Sequence, residues 1–228
     1  MPEQAESQRN DEHPGALNQD WTIPAVLEEA WKLQNGFKAI YWSALAVLLI
    51  VNLLLSGVAE LLGDGSDAVD FIRQLITAVI TYPLMVGLMM IAIKHSAGLP
   101  TSASMVFDYY PSTIPIFLTY LLMAVLIGVG FFLLVVPGIY LMFAYMLALP
   151  LLVDRQLGIW QALETSRKAI TPCWFRVFGL SVVTAVIVVV SAIPLGIGLI
   201  WTLPFMGLVM GILYRNIVGA PAVDTAPG

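Results

Sequence analysis

The sequence predicts an all-α integral membrane protein with six transmembrane helices. Hydrophobic residues make up 59% of the chain and charged residues 11%, against roughly 45–50% and about 25% in soluble proteins. A water-soluble fold needs more polar side chains than this to cover its surface, and the mean hydropathy of +0.88 agrees. The net charge of −5 argues against nucleic acid as a partner.

The number of spans follows from the charge-free runs. A spanning helix needs about 20 apolar residues, because the hydrocarbon core is about 30 Å thick. Residues 39–59 and 74–93 form one span each, whereas 109–153 and 177–214 are long enough to fold back once. The turns are expected at Pro137-Gly138 and between Pro194 and Pro204, which gives six spans.

The basic residues predict the orientation. With six spans, nine of the ten Lys and Arg residues fall on the side of the two termini, and only Arg73 falls on the other. Positively charged loops stay in the cytoplasm. The sequence therefore predicts a multi-pass membrane protein with both termini in the cytoplasm.

Two polar tails flank the spans. Residues 1–21 are acidic and lack a basic region followed by an apolar run, so they predict a disordered tail and not a secretory signal. Residues 220–228 predict a second disordered tail. The transmembrane domain is then expected over residues 22–219.

A repeat is visible within the apolar runs. The segment from Thr81 to Lys94 aligns with that from Thr202 to Arg215 at a constant offset of 121, and Pro137 begins a weaker third copy. Convergence of apolar sequence is the alternative. We expect Pro83, Pro137 and Pro204 to lie at similar depth in the outer half of the membrane, each at a helix start or a bend.

An amphipathic segment precedes each pair of spans, over residues 23–35, 102–110 and 159–170. Apolar residues with a Trp on one face suit a helix that lies in the headgroup zone. Thr22 is the expected N-cap of the first, with Pro24 in its first turn. The predicted architecture is thus three parallel-repeat helical hairpins with cytoplasmic interfacial helices.

Three short motifs carry a resemblance to a known group. They are Val-Pro-Gly-Ile-Tyr at 136–140, Leu-Pro-Leu-Leu-Val-Asp at 149–154 and Gln-Ala-Leu-Glu-Thr-Ser at 161–166. Here the chain resembles uncharacterised bacterial membrane proteins related to the membrane domain fused to some glycerophosphoryl diester phosphodiesterases. The resemblance implies a six-helix bundle in a bacterial cytoplasmic membrane. It supplies no catalytic residues.

Two groups of residues are candidates for binding and packing. Trp160, Arg167, Lys168 and Arg176 could hold an anionic lipid headgroup, or they could serve only as a positive-inside anchor. We expect Trp160 and Leu163 to face lipid or the bundle. Gly207 and Gly211 have the GxxxG spacing that lets helices approach closely, within the chain or between copies.

Few residues of the sequence could support catalysis, ion transport or metal binding. The span centres hold no charge, and the amide of Asn52 cannot be satisfied by its own helix alone. His95 lies near Asp108 without a convergent catalytic set. The acidic residues that follow the first span match no defined metal loop, so a solvated turn is expected there; they are Glu60, Asp64, Asp67 and Asp70.

These observations predict a protein that is not an enzyme and uses no cofactor or metal. We expect a scaffold or lipid-associated envelope factor, with membrane lipid and other membrane proteins as its partners. The alternative is a transporter of a lipid or small apolar solute. A polar cavity open to one side would favour transport, and a close-packed bundle would favour the scaffold.

Overall fold

The computed structural model describes residues 21–63, 65–194 and 196–222, and the part described contains helices and turns without a strand. Six helical segments are long and apolar enough to cross a membrane, which confirms that prediction. The α-helices are α1 (Ile23–Leu61), α2 (Asp67–Ser96), α3 (Thr113–Leu133), α4 (Val135–Ala144), α5 (Ala148–Asp154), α6 (Ile159–Ile170), α7 (Trp174–Ala192) and α8 (Leu199–Val218).

A kink divides α1 close to the predicted boundary between its amphipathic and apolar parts. Asn35 and Gly36 leave helical geometry, and Gly36 has a φ of 86°, a conformation that glycine adopts without steric cost. Thr22 caps the start, where its side chain accepts a hydrogen bond from the Ala25 backbone N–H. The chain therefore changes direction between residues 34 and 37 before the apolar part begins.

The core lies at one end of the bundle. Every buried residue of α2 lies from Pro83 onward, and the buried residues of α1 all lie between Val26 and Ala44. These two stretches pack against α8. Residues 45–61 of α1 and 67–82 of α2 instead leave large apolar side chains exposed. We call the packed end, where the described chain begins and ends, the terminal end.

The prediction that the chain reverses direction between the third and fourth spans at Pro137-Gly138 is wrong. The chain turns at Leu134, which has extended geometry, and Pro137 lies in the first turn of α4. A proline is tolerated there because the first backbone N–H groups of a helix have no intrahelical partner. Gly138 instead lies at the contact between α3 and α4, where an added Cβ would be 2.4 Å from the Phe131 ring.

The other two prolines lie inside helices. Pro83 is within α2, sixteen residues after its start, and Pro204 is within the second turn of α8, so neither begins a helix. Pro83 cannot donate to the carbonyl four residues earlier. The Tyr110 hydroxyl donates to the neighbouring Ile80 carbonyl at 3.1 Å, which satisfies a backbone acceptor near this interruption.

Both predicted tails include residues that are part of the packed structure. Trp21 is buried, and its carbonyl accepts a hydrogen bond from Arg176. Ala220 and Ala222 are bonded to the end of α5. The rest of the two predicted tails, residues 1–20 and 223–228, lies outside the described residues, as does Asp64.

Candidate functional site

Ionic contacts tie the terminal end together. Arg215, near the end of α8, pairs with the Glu29 carboxylate of α1 at 2.7 and 2.8 Å. The same guanidinium donates to the Ser96 carbonyl, one of the last backbone acceptors of α2. A guanidinium has several donors in a fixed plane, so it can bond a carboxylate and a carbonyl together. One side chain thus joins α1, α2 and α8.

A second polar cluster surrounds Asp154 at the end of α5. This buried carboxylate accepts from the Tyr214 hydroxyl at 2.5 Å and from the Ala222 backbone N–H at 2.8 Å. Arg155 pairs with it at 3.2 Å and donates to the Ala220 carbonyl. A buried carboxylate needs such partners to offset its lost hydration. The cluster fixes residues 220–222 against α5.

A polar cavity of about 720 Å³ opens beside this cluster, and we call it the terminal cavity. Its volume lies in the range of small-molecule pockets, roughly 300–1,000 Å³. Two cations and two carboxylates line it, together with hydroxyl and amide groups. The polar lining residues are Lys94, Asp108, Tyr109, Ser112, Asp154, Arg155 and Gln156.

The fourth span is interrupted between α4 and α5, and a side chain of α6 bonds the backbone groups at the interruption. The Ser166 hydroxyl is buried, donates to the Ala144 carbonyl at 2.7 Å and accepts from the Leu147 N–H at 3.2 Å. Interrupted helix at membrane depth is stable only where protein or water satisfies the backbone. The predicted amphipathic helix α6 is therefore packed into the bundle, with Leu163 against Tyr145 and Ala148.

The four predicted headgroup residues fall into two groups. Arg167 and Lys168 both bind the Glu164 carboxylate, at 2.8 and 3.3 Å, and Trp160 is exposed at the start of the same helix. Leu163 is buried, so Trp160 and Leu163 do not share one environment. Arg176 is bonded to the Trp21 carbonyl at the start of α1.

Gly207 and Gly211 both lie at helix contacts within the chain. A Cβ on Gly211 would be 2.5 Å from the Ala92 carbonyl oxygen of α2, and one on Gly207 would be 2.9 Å from the Tyr41 ring of α1. Real Cβ atoms do not make such approaches. These glycines let α8 lie close to α1 and α2.

The residues weighed for catalysis and metal binding have structural contacts. A His95 ring nitrogen is 3.2 Å from the Thr101 hydroxyl, and the ring packs on Phe37. Asp70 pairs with Arg73. Within the described ranges, no group of three or more His, Cys, Asp or Glu residues is arranged to hold a metal ion.

Two grooves lie along the spans. The first, of about 440 Å³, runs between α1 and α2 beside the 62–66 connection and is rich in hydroxyl and amide groups; we call it the tip groove. The second, of about 290 Å³, lies between α7 and α8 and is mostly apolar, with methionines at Met146, Met206 and Met210. The terminal cavity and the tip groove lie toward opposite ends of α2.

The terminal cavity was not predicted from the sequence, because its lining residues come from separate segments of the chain. The contact between Asp154 and Tyr214 joins residues 60 apart, and no local spacing signals it. A usable signal was the presence of charged residues just beyond two apolar runs, at Lys94 and Asp154. Their side chains meet only through the tertiary fold.

The helices define the class of a multi-pass helical membrane protein. In comparisons with known proteins, no family model, curated protein or solved structure matches the chain. The resemblance to the phosphodiesterase-associated membrane domains therefore stays a prediction.

Proposed function

We propose that the chain is a non-enzymatic protein of a bacterial cytoplasmic membrane that acts as a lipid-associated envelope factor or scaffold. The observation that carries the proposal is the division of α6 into a buried, mostly apolar face and an outer face with exposed Trp160 and Lys168 and partly exposed Arg167. An exposed Trp beside basic side chains suits the headgroup region, where cations attract anionic lipid.

Glu164 sets the strength of this proposed lipid contact. It binds both cations of α6, so an arriving lipid phosphate must compete with a carboxylate already in place. Removal of the carboxylate leaves two cations for the headgroup. The proposed site therefore makes opposite predictions for the loss of its cations and the loss of its anion.

Native mass spectrometry in one mixed-lipid preparation tests the proposal. The combined variant Arg167→Gln, Lys168→Gln and Arg176→Gln should retain less anionic lipid than the wild type, and Glu164→Gln should retain more. Both variants should stay folded, because the buried face of α6 is unchanged and Arg176 is an exposed residue of α7 whose bond to the Trp21 carbonyl is long, at 3.5 Å. Equal retention in all three proteins would leave these residues as a positive-inside anchor only.

We also propose that the terminal end faces the cytoplasm, since it carries most of the basic residues. In a Cys173-free background, cysteine substituted at Ser66 should react with an impermeant thiol reagent added outside the cell. Cysteine substituted at Ser102 or Thr165 should not react. Labelling at Ser102 without labelling at Ser66 would reverse the proposed orientation.

We also propose that the three helical hairpins form a parallel repeat. It is supported for the first and third copies by Gly98 and Gly219, which share the offset of 121 and both have positive φ angles, 75° and 103°. The distance from the proline to the end of the helix is also similar. Helix α2 ends thirteen residues after Pro83, and α8 ends fourteen residues after Pro204. Pro137 supports the middle copy less, since its span is broken.

Transport of a lipid or small apolar solute is the second candidate, favoured by polar cavities toward both ends of α2. Thr81 of the tip groove and Met90 of the terminal cavity are nine residues apart. At about 100° per residue they face opposite sides of the helix, so transport would need a rearrangement. A dithionite-quenching assay with labelled lipid in reconstituted vesicles separates the candidates, since only a transporter accelerates flipping.

A further inference from the structure

The tip groove is built from two polar stripes on otherwise apolar helices. On α1 the stripe has Asn52 and Ser56, one turn apart, and on α2 it continues through Gln74, Thr77 and Thr81. Residues at these spacings share one face of a helix. The two stripes face each other across the groove, while the neighbouring leucines, isoleucines and valines point outward.

The groove reaches far into the proposed membrane. Asp70 and Arg73 lie at its mouth, where Arg73 donates to Asp70 at 3.0 Å and to the Gly63 carbonyl at 3.1 Å. At the other end, Thr81 donates to the Asn52 side chain at 3.3 Å. Eleven residues separate Asp70 from Thr81, a rise of about 16 Å, which is about half of a hydrocarbon core of ~30 Å.

The groove is accessible along its length. None of its lining residues is buried, in contrast to the second half of α2. Polar groups at this depth in a span are costly when they face hydrocarbon and usually face protein or a polar ligand. Asn52 and Thr77 each bond a carbonyl of their own helix, so the stripes are stable without a ligand and keep further bonding capacity.

We propose that the tip groove binds the headgroup of a zwitterionic phospholipid that bears a primary amine, a phosphoethanolamine group. The lining carries one carboxylate and one guanidinium, so its net charge is zero, which does not favour an anionic lipid. A primary ammonium donates to Asp70 and to the amide and hydroxyl oxygens, and a phosphate accepts from Arg73. The acyl chains lie on the exposed apolar faces of α1 and α2.

This inference rests on the proposed function only in its assignment of lipid as a partner. The tip groove and the exposed face of α6 are separate surfaces, formed by different helices and matched to different headgroup charges. Variants of the tip groove and variants of α6 can therefore each remove one site and leave the other in place.

The test is native mass spectrometry with ethanolamine, choline and anionic glycerol phospholipids in equal amounts. The variant Asp70→Asn, Gln74→Leu, Thr77→Val should lose ethanolamine lipid at least about fivefold, equivalent to ~1 kcal/mol, and keep anionic lipid. The matched control is Thr184→Val, since Thr184 also bonds a carbonyl of its own helix but lies in the apolar groove. It should retain the wild-type lipid pattern.

The outcomes separate the two proposals. Unchanged ethanolamine lipid in the tip-groove variant overturns this inference, even when the α6 variant still loses anionic lipid. Loss of ethanolamine lipid from the tip-groove variant, with choline and anionic lipids retained, supports the inference. This holds whether or not the α6 variant loses anionic lipid. An equal loss of all three lipids overturns the headgroup selectivity.

A second measurement does not depend on the folding of the triple variant. Cysteine substituted at Ser56, in a Cys173-free protein, should react more slowly with a maleimide in vesicles with ethanolamine lipid than in choline-only vesicles. Soluble phosphoethanolamine added to choline-only vesicles tests for a free ligand. Protection by the soluble compound and not by the lipid would overturn the lipid assignment, as would equal rates in all three samples.

Discussion

The two halves of α2 have different surroundings although both are apolar. Residues 67–82 contain no buried side chain and expose Phe71, Ile72 and Ile76. From Pro83 onward the helix is largely buried against α1, α8 and the 3₁₀ turn Ala103–Phe107. Hydropathy does not separate these halves, because lipid and protein interior are both apolar.

Close approaches of neighbouring backbones distinguish the packed half. A Cβ on Gly87 would be 2.4 Å from the Val106 carbonyl oxygen, and one on Gly211 would be 2.5 Å from the Ala92 carbonyl oxygen. In the exposed part of α1, a Cβ on Gly57 would meet nothing within 4 Å. Helices in a membrane gain little from apolar burial against one another, so their association depends on close packing and on interhelical hydrogen bonds. The two halves of α2 hold equal combined numbers of glycine and alanine residues, so the core is located by how closely neighbouring backbones approach and not by hydrophobicity or residue size alone.

The largest expected effect comes from filling the close contacts. Gly87→Ala and Gly211→Ala should each destabilise the protein by ~1–3 kcal/mol, because the new Cβ would be 2.4 Å from the Val106 carbonyl oxygen or 2.5 Å from that of Ala92. Gly57→Ala is the control, since a Cβ there meets nothing within 4 Å. Unfolding in mixed detergent micelles, followed by circular dichroism, measures this. Equal losses at Gly57 and Gly87 would contradict the comparison.

The next effect concerns the helix break. Ser166→Ala removes the partner of both the Ala144 carbonyl and the Leu147 N–H, and should lower the free energy of unfolding by ~1–3 kcal/mol. Ser43→Ala is the matched control, because the Ser43 hydroxyl bonds only carbonyls of its own helix. The same denaturation assay applies. A Ser166 variant as stable as the Ser43 variant would show that water satisfies the break.

A smaller effect is expected at the terminal end. Arg215→Gln loses the bond to Glu29, but both side chains are partly exposed, so the cost should be roughly 1 kcal/mol or less. Lys32→Gln breaks an exposed pair with Glu28 and should leave stability unchanged within error. Thermal unfolding at low and high salt checks this. Part of the Arg215 effect should persist at high salt, because the variant also loses the bond to the Ser96 carbonyl. Its complete disappearance would show that the contact is only a screened surface pair.

The smallest effect has the opposite sign. The Thr119 hydroxyl is fully buried and has no hydrogen-bond partner among the described residues. Thr119→Val keeps the shape and removes the unsatisfied group, so stability should stay equal or rise by up to ~1 kcal/mol. The shift in the detergent denaturation midpoint measures it. A clear loss of stability would indicate an ordered water at this hydroxyl.

Much of the fold could be predicted because charge and length mark the spans. The kink at Asn35-Gly36 falls between the predicted amphipathic and apolar segments, where glycine favours a change of direction. The turn at Leu134 could not be predicted, because leucine carries no turn signal in a uniformly apolar run. Pro137-Gly138 resembled a turn, but proline also fits a first helical turn and the glycine serves helix contact.

The sites were less predictable than the spans. Asn52 was identified as a polar residue within a span, and its need for a partner outside its helix agrees with the bond that it accepts from Thr81. The grouping of Asn52, Thr77 and Thr81 into one groove depends on how α1 and α2 are rotated about their axes. Apolar residues all round these helices leave that rotation undetermined by periodicity.

The bond from Ser166 to the broken fourth span has a consequence for the order of events during synthesis. Residues 144 and 147 leave the ribosome about twenty residues before Ser166, so the span first meets the bilayer with a carbonyl and an N–H that lack their final partner. Unpaired backbone groups are costly in hydrocarbon. Truncation after residue 158 should leave this span protease-sensitive, and extension past residue 173 should protect it. We therefore expect the fourth span to complete its insertion only after the chain that follows it has been made.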